Sequence, residues 1–431
     1  MEMEAQTPYW VVGSKVDEAA FCQEFLYTRA LCWVDGAFFG VEGRIVDENA
    51  LRKEIYDRIA PYILSGLAGK VDSILNALRM ECRRERLPHQ ETVIHVANGT
   101  YSLMNGFSTD KQFCRYRLPV RYNPDAPRPV LWEKFLEELL EPMDILTLQE
   151  YMGYCLIPTT VGQKMLLITG RGGEGKSRIG VVMKSIFGCN MNQGSLAKVE
   201  TSPFARADLE HLLVMVDDDL KLEALTQTNH LKSIITAELP MDLERKGQQS
   251  YQGNLFVRFL AFGNGTLQAL YDRSHGFFRR QIILSAKERD PNRVDDPYLG
   301  RRLRDETEGI FLWCLEGLLR LIGQDFRFTI SQTSQDNMRE AMAQGNNVVE
   351  FMASEGYFRF DPQSSISSRG LYEIYTDWCT DNAVSAMPAK SFWGYLRQNA
   401  GAYGISFTFN IPQGNGRHVR GFRGIRGCSR F

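Results

Sequence analysis

The sequence has no Cys-x-x-Cys pair. Its nine cysteines are scattered at positions 22, 32, 82, 114, 155, 189, 314, 379 and 428, and its six histidines do not gather beside them. That spacing supports neither a zinc site nor a disulfide framework. No stretch approaches the length needed to cross a bilayer, and Met1-Glu-Met-Glu-Ala has no basic region leading into an apolar core. A cytoplasmic, reduced protein with no membrane partner is therefore expected. Charge of one sign is also missing: the net charge of −2 means that any surface for nucleic acid must be local. Apolar residues are plentiful, at 44% of 431 residues. A large core is expected, and the length suggests about three domains.

The most informative stretch is Gly170-Arg171-Gly172-Gly173-Glu174-Gly175-Lys176-Ser177, preceded by the apolar run Met165 to Thr169. It reads G-x-x-x-x-G-K-S, the phosphate-binding P-loop pattern. Glycines permit the positive φ angles that wrap backbone N–H groups around a polyphosphate. Lys176 reaches the β and γ phosphates, and the Ser177 hydroxyl suits Mg²⁺. The following run, Lys176 to Phe187, supplies a helix whose amino end favours an anion. Gly170, Gly172, Gly173, Glu174, Gly175, Lys176, Ser177 and Arg178 are thus the expected ATP-binding residues.

Upstream, residues 1 to 125 read as a mixed α+β region, with helix-like stretches at 16–27, 48–64 and 70–86 and strand-like pieces around Cys32 to Phe39. Arg83-Arg84-Glu85-Arg86 reads as a solvated helix end. Arg121-Tyr-Asn-Pro-Asp-Ala-Pro-Arg-Pro129 is a proline-stiffened connector. Two helices at 130–140 and 145–155 then lead into the nucleotide region.

Downstream, Leu212-Leu-Val-Met-Val216 ends in Asp217-Asp218-Asp219. A buried parallel strand with acids at its carboxyl end is what a Walker B segment requires. One carboxylate holds Mg²⁺ and the next orients the attacking water. Asp217 is assigned to the metal and Asp218 to the water. A hairpin is expected at 240–251 with Arg245-Lys246-Gly247 at its tip. Phe256 to Asn264 reads as a third central strand, whose terminal Asn264 faces the γ-phosphate as a sensor. Asp272-Arg273-Ser-His-Gly-Phe-Phe-Arg279-Arg280 precedes another apolar run. In a ring ATPase a guanidinium from one subunit completes its neighbour's site, with an effect of about 10³ or more in rate. Arg279 and Arg280 are the candidates.

Taken in order, the motifs at 170–177, 212–218, 232–238, 244–247, 260–264 and 279–280 resemble the superfamily 3 helicases of viruses, phages and plasmids. Tyr122 to Pro127, Leu148 to Tyr154 and Asp305 to Leu318 look like the helicase half of the poxvirus and phage primase-helicases. The resemblance spans roughly 15 to 425. It implies an α/β fold with an AAA+ P-loop core, hexameric rings around single-stranded and forked DNA, and 3′ to 5′ unwinding driven by ATP and Mg²⁺. It also implies a DNA grip by Lys246 at the hairpin tip, beside Arg245, a further candidate DNA contact. Many relatives carry Glu at one Walker B position, whereas all three acids here are Asp. Residues 1 to 125 show neither zinc-ligand spacing nor an acidic catalytic constellation, so priming is expected from a separate primase.

Beyond residue 335 a polar helix leads into two short helices, 368–379 and 388–397, and strand-like pieces at 405–409 and 419–425. That order is the order of a winged helix, which the family places here. Arg417, Arg420, Arg423, Arg426 and Arg430 follow with no Asp or Glu after Asn410, a locally basic wing suited to phosphate contact. The expected domains are 1–125, 126–330 and 331–431. The leading functional expectation is a DNA helicase that replicates a phage or mobile genetic element. The rivals are an AAA+ remodelling or loading ATPase without unwinding, and a non-catalytic origin-binding protein that uses nucleotide only to assemble.

Overall fold

The computed structural model describes residues 7–220, 228–247, 249–264, 275–345, 347–382, 384, 386–412 and 417–428. The chain begins with a hairpin, β1 (Val11–Val12) and β2 (Lys15–Val16), and helix α1 (Glu18–Thr28), capped by the Asp17 side chain accepting from Ala20 N. A meander follows: β3 (Leu31–Val34), β4 (Ala37–Gly40) and β5 (Gly43–Arg44). Asp35 and Gly36 turn β3 into β4 with φ of 48° and 75°, the left-handed pair that a two-residue hairpin needs. Helices α2 (Glu48–Ile59) and α3 (Leu67–Glu81) close a core of Phe21, Phe25, Leu51, Ile55, Ile74 and Leu78. A second meander, β6 (Val93–Val96), β7 (Gly99–Ser102) and β8 (Gly106–Ser108), packs instead into the central core through Ile94 and Val96.

The connector at 121–129 carries no helix or strand and delivers the chain to α4 (Val130–Leu139) and α5 (Pro142–Tyr154). Glu306 accepts from Leu131 N and Trp132 N, satisfying two orphan donors at the start of α4. The central region then runs β9 (Met165–Thr169), α6 (Ser177–Phe187), β10 (Met191–Gln193), α7 (Leu196–Thr201), α8 (Pro203–Ala207), β11 (Val214–Leu220), α9 (Asn229–Thr236), β12 (Met241–Leu243), β13 (Tyr251–Gly253), β14 (Arg258–Gly263), α10 (His275–Phe278) and β15 (Gln281–Ser285). Helices α11 (Leu299–Asp305) and α12 (Thr307–Gly323) follow. A Cβ on Gly153 of α5 would lie 2.4 Å from the Cys314 carbonyl, and one on Gly317 of α12 would lie 2.3 Å from that of Gln149. Those two glycines let α5 and α12 touch backbone to backbone.

Five parallel strands form the central sheet in the order β10-β11-β14-β9-β15. Both faces are covered, as a parallel sheet requires. Alternation along each strand decides which side chain goes where. Leu166, Ile168, Val214, Val216, Leu260, Phe262, Ile282 and Leu284 join Ile179, Val182 and Ile186 of α6 on one face. Met165, Leu167, Met215, Phe259, Ala261 and Ile283 meet Leu231 and Ile234 of α9 on the other.

The carboxyl-terminal part contains α13 (Gln332–Gly345), α14 (Asn347–Ala353), β16 (Phe358–Ser367), α15 (Ser368–Asp381), α16 (Ala389–Asn399), β17 (Ser406–Pro412) and β18 (His418–Gly427). The two expected helices and the expected hairpin are present. The sequence reading missed β16, which pairs with β18 to give the sheet order β16-β18-β17. Its Asp361-Pro-Gln-Ser-Ser run looks like a loop because proline and small polar residues interrupt any alternation, and the ladder shifts register between Asp361 and Ser365. Among the described residues no helix is long and apolar enough to cross a membrane.

Candidate functional site

A cleft of about 1170 Å³ opens at the carboxyl edge of the central sheet, where ligands collect in open parallel sheets. The loop between β9 and α6 forms its floor, and Gly172, Gly173 and Gly175 take φ of 104°, 83° and 103°. Only glycine adopts these angles without strain. Gly170 N donates to Gly263 O, at 3.1 Å, so the loop's first residue is tied to the end of the neighbouring strand β14. Ser177 starts α6 and is exposed at the cleft, with Arg178 beside it.

Within this loop Lys176 is nearly buried, and its Nζ donates to Glu174 Oε2 at 2.7 Å. Glu174 Oε1 accepts from Gly172 N at 2.8 Å. Burial pushes the Glu174 carboxyl up, but the hydrogen bonds from Lys176 and from backbone N–H groups outweigh it and hold it below its ordinary value. The carboxylate therefore occupies the role of an anion between the loop amides and the lysine. The sequence placed Glu174 among the ligand-binding residues; the geometry makes it the internal counter-ion of Lys176.

The acidic triplet divides. Asp217 follows Met215 onto the sheet face opposite α6, is buried, and its Oδ2 accepts from Leu196 N at the start of α7, at 2.9 Å. Burial raises its pKa, with Leu196 N–H opposing the shift. Asp218 and Asp219 are exposed and line the cleft, where the ladder between β11 and β14 is irregular after Asp217. Asp217, expected to hold the metal, is thus on the opposite sheet face from Asp218, and of the three acids it is Asp218 and Asp219 that line the cleft with Ser177. The period-2 alternation of β11 is the signal that could have found this: Val214, Val216 and Asp218 share a face. Asn264 lines the cleft at the end of β14. Among the described residues no group of three or more His, Cys, Asp or Glu side chains is arranged to hold a metal ion.

The sequence reading overlooked Arg289 and Arg293. Both line the cleft, and Arg293 Nη1 donates to Glu174 O at 2.8 Å while Arg289 pairs with Asp295 at 3.1 Å. They lie in an irregular segment after β15, where no periodic pattern marks them. By contrast, Arg279 and Arg280 precede β15 and sit at the amino-terminal edge of the sheet, the edge remote from this cleft. Arg279 is exposed, and Arg280 Nη1 donates to Gly276 O. Asp272 and Arg273, quoted with them above, lie outside the described residues.

β12 and β13 pair as an antiparallel hairpin with Arg245, Lys246 and Gly247 in its loop. Lys246 is exposed and has no hydrogen bond or ion pair among the described residues. Arg245 is held: its guanidinium donates to the Asp35 carbonyl at 2.8 Å, pairs with the buried Glu210, and lies over the Tyr251 ring at 5.1 Å. It is thus engaged by the body of the protein, which the sequence reading of it as a DNA contact had not anticipated. On the carboxyl-terminal sheet, Arg417, Arg420 and Arg423 are exposed, Arg426 pairs with Asp361 at 3.6 Å, and Arg430 lies outside the described residues.

A family model described as a family of unknown function, DUF5906, matches residues 168–280, from within β9 to the residue before β15. A comparison with curated proteins finds no match. Among solved structures, the apo A form of the C-terminal region of NrS-1 is similar at a TM-score of 0.54 and 12% identity over 94% of this chain and 98% of that one. A second structure of the same form gives 0.53 and 11% over the same shares. A further apo structure gives 0.51 and 11% over 95% of this chain and 100% of that one. At such identity the likeness is one of fold, and it extends over nearly the whole length of both chains.

Proposed function

We propose that this chain is an ATP-driven DNA motor of the superfamily 3 helicase kind, serving replication of a phage or mobile element. It would have an amino-terminal α+β domain over 1–125, an AAA+ core over 126–330 and a winged helix within 331–431. The observation that carries the reading is the convergence of Lys176, Ser177, Asp218, Asp219 and Asn264 on one cleft at the carboxyl edge of a parallel sheet. The sheet order, with β14 between β9 and β11, brings the glycine loop, the amide and the acids to one side of that edge.

The residues fit Mg-ATP. Three glycines hold open a cradle of backbone N–H groups, and the lysine at its centre is already compensated by a carboxylate. Ser177 and Asp218 would hold Mg²⁺, which when bound neutralises charge on the phosphate oxygens. Asp219 then orients and deprotonates the attacking water, and Asn264 donates to the terminal phosphate. Lys176, Arg289 and Arg293 bind phosphate charge from within the same subunit. Arg279 and Arg280, at the sheet edge remote from their own cleft, would serve a neighbouring copy, so the active form would be a ring, expected to be a hexamer. Lys246 would grip the DNA backbone.

The test is forked-duplex unwinding beside DNA-stimulated phosphate release. Lys246→Ala should spare most ATPase and remove unwinding; equal loss of both activities removes the reason to place Lys246 on DNA. Engagement of Arg245 by Asp35 and Glu210 favours a second reading, a remodelling or loading ATPase in which the hairpin never reaches DNA. Phosphate release indifferent to DNA would select it.

A further inference from the structure

We propose that a groove in the carboxyl-terminal part, separate from the hairpin and from the nucleotide cleft, binds single-stranded polynucleotide by stacking a base on Trp393 and pairing its phosphates with Lys390, Arg397 and Arg420. The groove has a volume of about 990 Å³ and is walled by the first turn of α15, one face of α16 and the start of β18. Lys390, Trp393, Gly394 and Arg397 recur at three- and four-residue spacing, so they form a single stripe along α16. Lys390 and Arg397 are exposed, and Trp393 is half-buried. Behind the indole, Phe422 stacks at 6.3 Å and 25°, with Tyr372 at 5.7 Å, so the ring is fixed from within the protein. A Cβ on Gly394 would meet nothing within 4 Å, which leaves bare backbone on the groove wall.

Charge in the groove has one sign. No Asp or Glu occurs from Asn382 to the end of the chain, and among the described residues no carboxylate lines the groove. Arg369, which also lines the groove, pairs with Glu373 at 2.9 Å. The Arg397 guanidinium lies over the Phe407 ring at 4.2 Å and is held against β17. Ser368, on the first turn of α15, also lines the groove, and its buried hydroxyl has no hydrogen-bond partner among the described residues, beside the amide-rich end of a helix.

The occupant follows from the aromatic wall. A duplex keeps its base faces inside the stack and offers phosphates alone, whereas a single strand offers base faces as well. An anchored tryptophan among cations matches the second. The inference deepens the DNA-binding part of the reading above but requires no ATP hydrolysis, so the two fail separately.

The test uses the full chain without nucleotide. Fluorescence anisotropy would follow labelled oligothymidylate, oligouridylate and a blunt duplex of equal length across a salt series. Trp393→Ala should weaken single-strand binding about tenfold and leave duplex binding within about twofold. Trp393→Phe, which keeps the packing on Phe422, should restore most of it. Lys390→Gln, Arg397→Gln and Arg420→Gln should each lower the single-strand salt slope by about 0.7. Lys176→Ala should bind the strand like the parent. Equal affinity for the DNA and RNA oligomers would define a sugar-blind groove, and a preference would name the sugar it takes. The proposal fails if the parent binds no single strand, if Trp393→Ala leaves binding unchanged, or if duplex binding falls in step.

Discussion

The glycine loop and the β12–β13 hairpin each present a cation that the sequence assigns to a phosphate, yet the two cations meet different fates. Lys176 is held by Glu174, two residues away in the same loop, at the floor of an open cleft. Arg245 is held by Asp35 and Glu210, which are 210 and 35 residues away, against the body of the protein. A local partner can be displaced by rearranging one loop. Distant partners restrain the hairpin unless whole elements separate. Motif spacing therefore foretells what a lysine in a loop faces, and says little about an arginine whose neighbours arrive from elsewhere in the chain.

The largest test of this contrast is in the cleft. Lys176→Ala should lower steady-state phosphate release by on the order of 10²–10³, and Asp218→Asn by about 10². Asp217→Asn should cost less than about tenfold, because its carboxylate caps α7. A greater loss at 217 than at 218 would overturn the face assignment.

The hairpin comes next. Arg245→Ala removes a charge-assisted contact worth about 1.5–3 kcal/mol. Amide exchange over 241–253 should accelerate roughly 10- to 100-fold, while basal ATPase holds. Unchanged exchange would mean that the hairpin is not restrained through this residue.

A smaller effect is expected inside the loop. Glu174→Gln removes the charge that competes with phosphate for Lys176, and a nucleotide analogue should bind about fivefold tighter, roughly 1 kcal/mol. Weaker binding would assign Glu174 a positive part in ligand contact and dissolve the contrast between a displaceable and a fixed partner.

The smallest effect near neutrality concerns acid. His211, against the same contacts that hold Arg245, is pushed from 6.5 down to about 3 by burial, then by Arg115, Arg44 and Arg245. Below pH 6.5 the unfolded chain takes up a proton that the folded chain refuses, so stability falls as pH falls through that window, by at most about 1.4 kcal/mol per unit. Melting temperature should drop between pH 7 and 5, and His211→Gln should flatten the slope. An unaltered slope in that variant would place the acid sensitivity elsewhere, with His95, pushed down to about 4 mainly by its burial, as the next group to change.

By itself the sequence determined what depends on neighbours along the chain. The Asp35-Gly36 turn, the helices near 48, 130 and 368, the apolar strands β9, β11 and β14, and the glycine loop with Lys176 all follow from periodicity and turn chemistry. Tertiary structure alone decided the rest. Asp217 is engaged because the start of α7, 21 residues away in the chain, lies against its face of the sheet. Arg289 and Arg293 reach the loop because an irregular segment folds back over it. Arg245 is engaged because β3–β4 and the 208–213 turn lie beneath the hairpin. β16 is a strand because β18 supplies its hydrogen bonds. In each case the deciding partner is remote in sequence, and pairing across such a distance is set by which surfaces the folded core brings together.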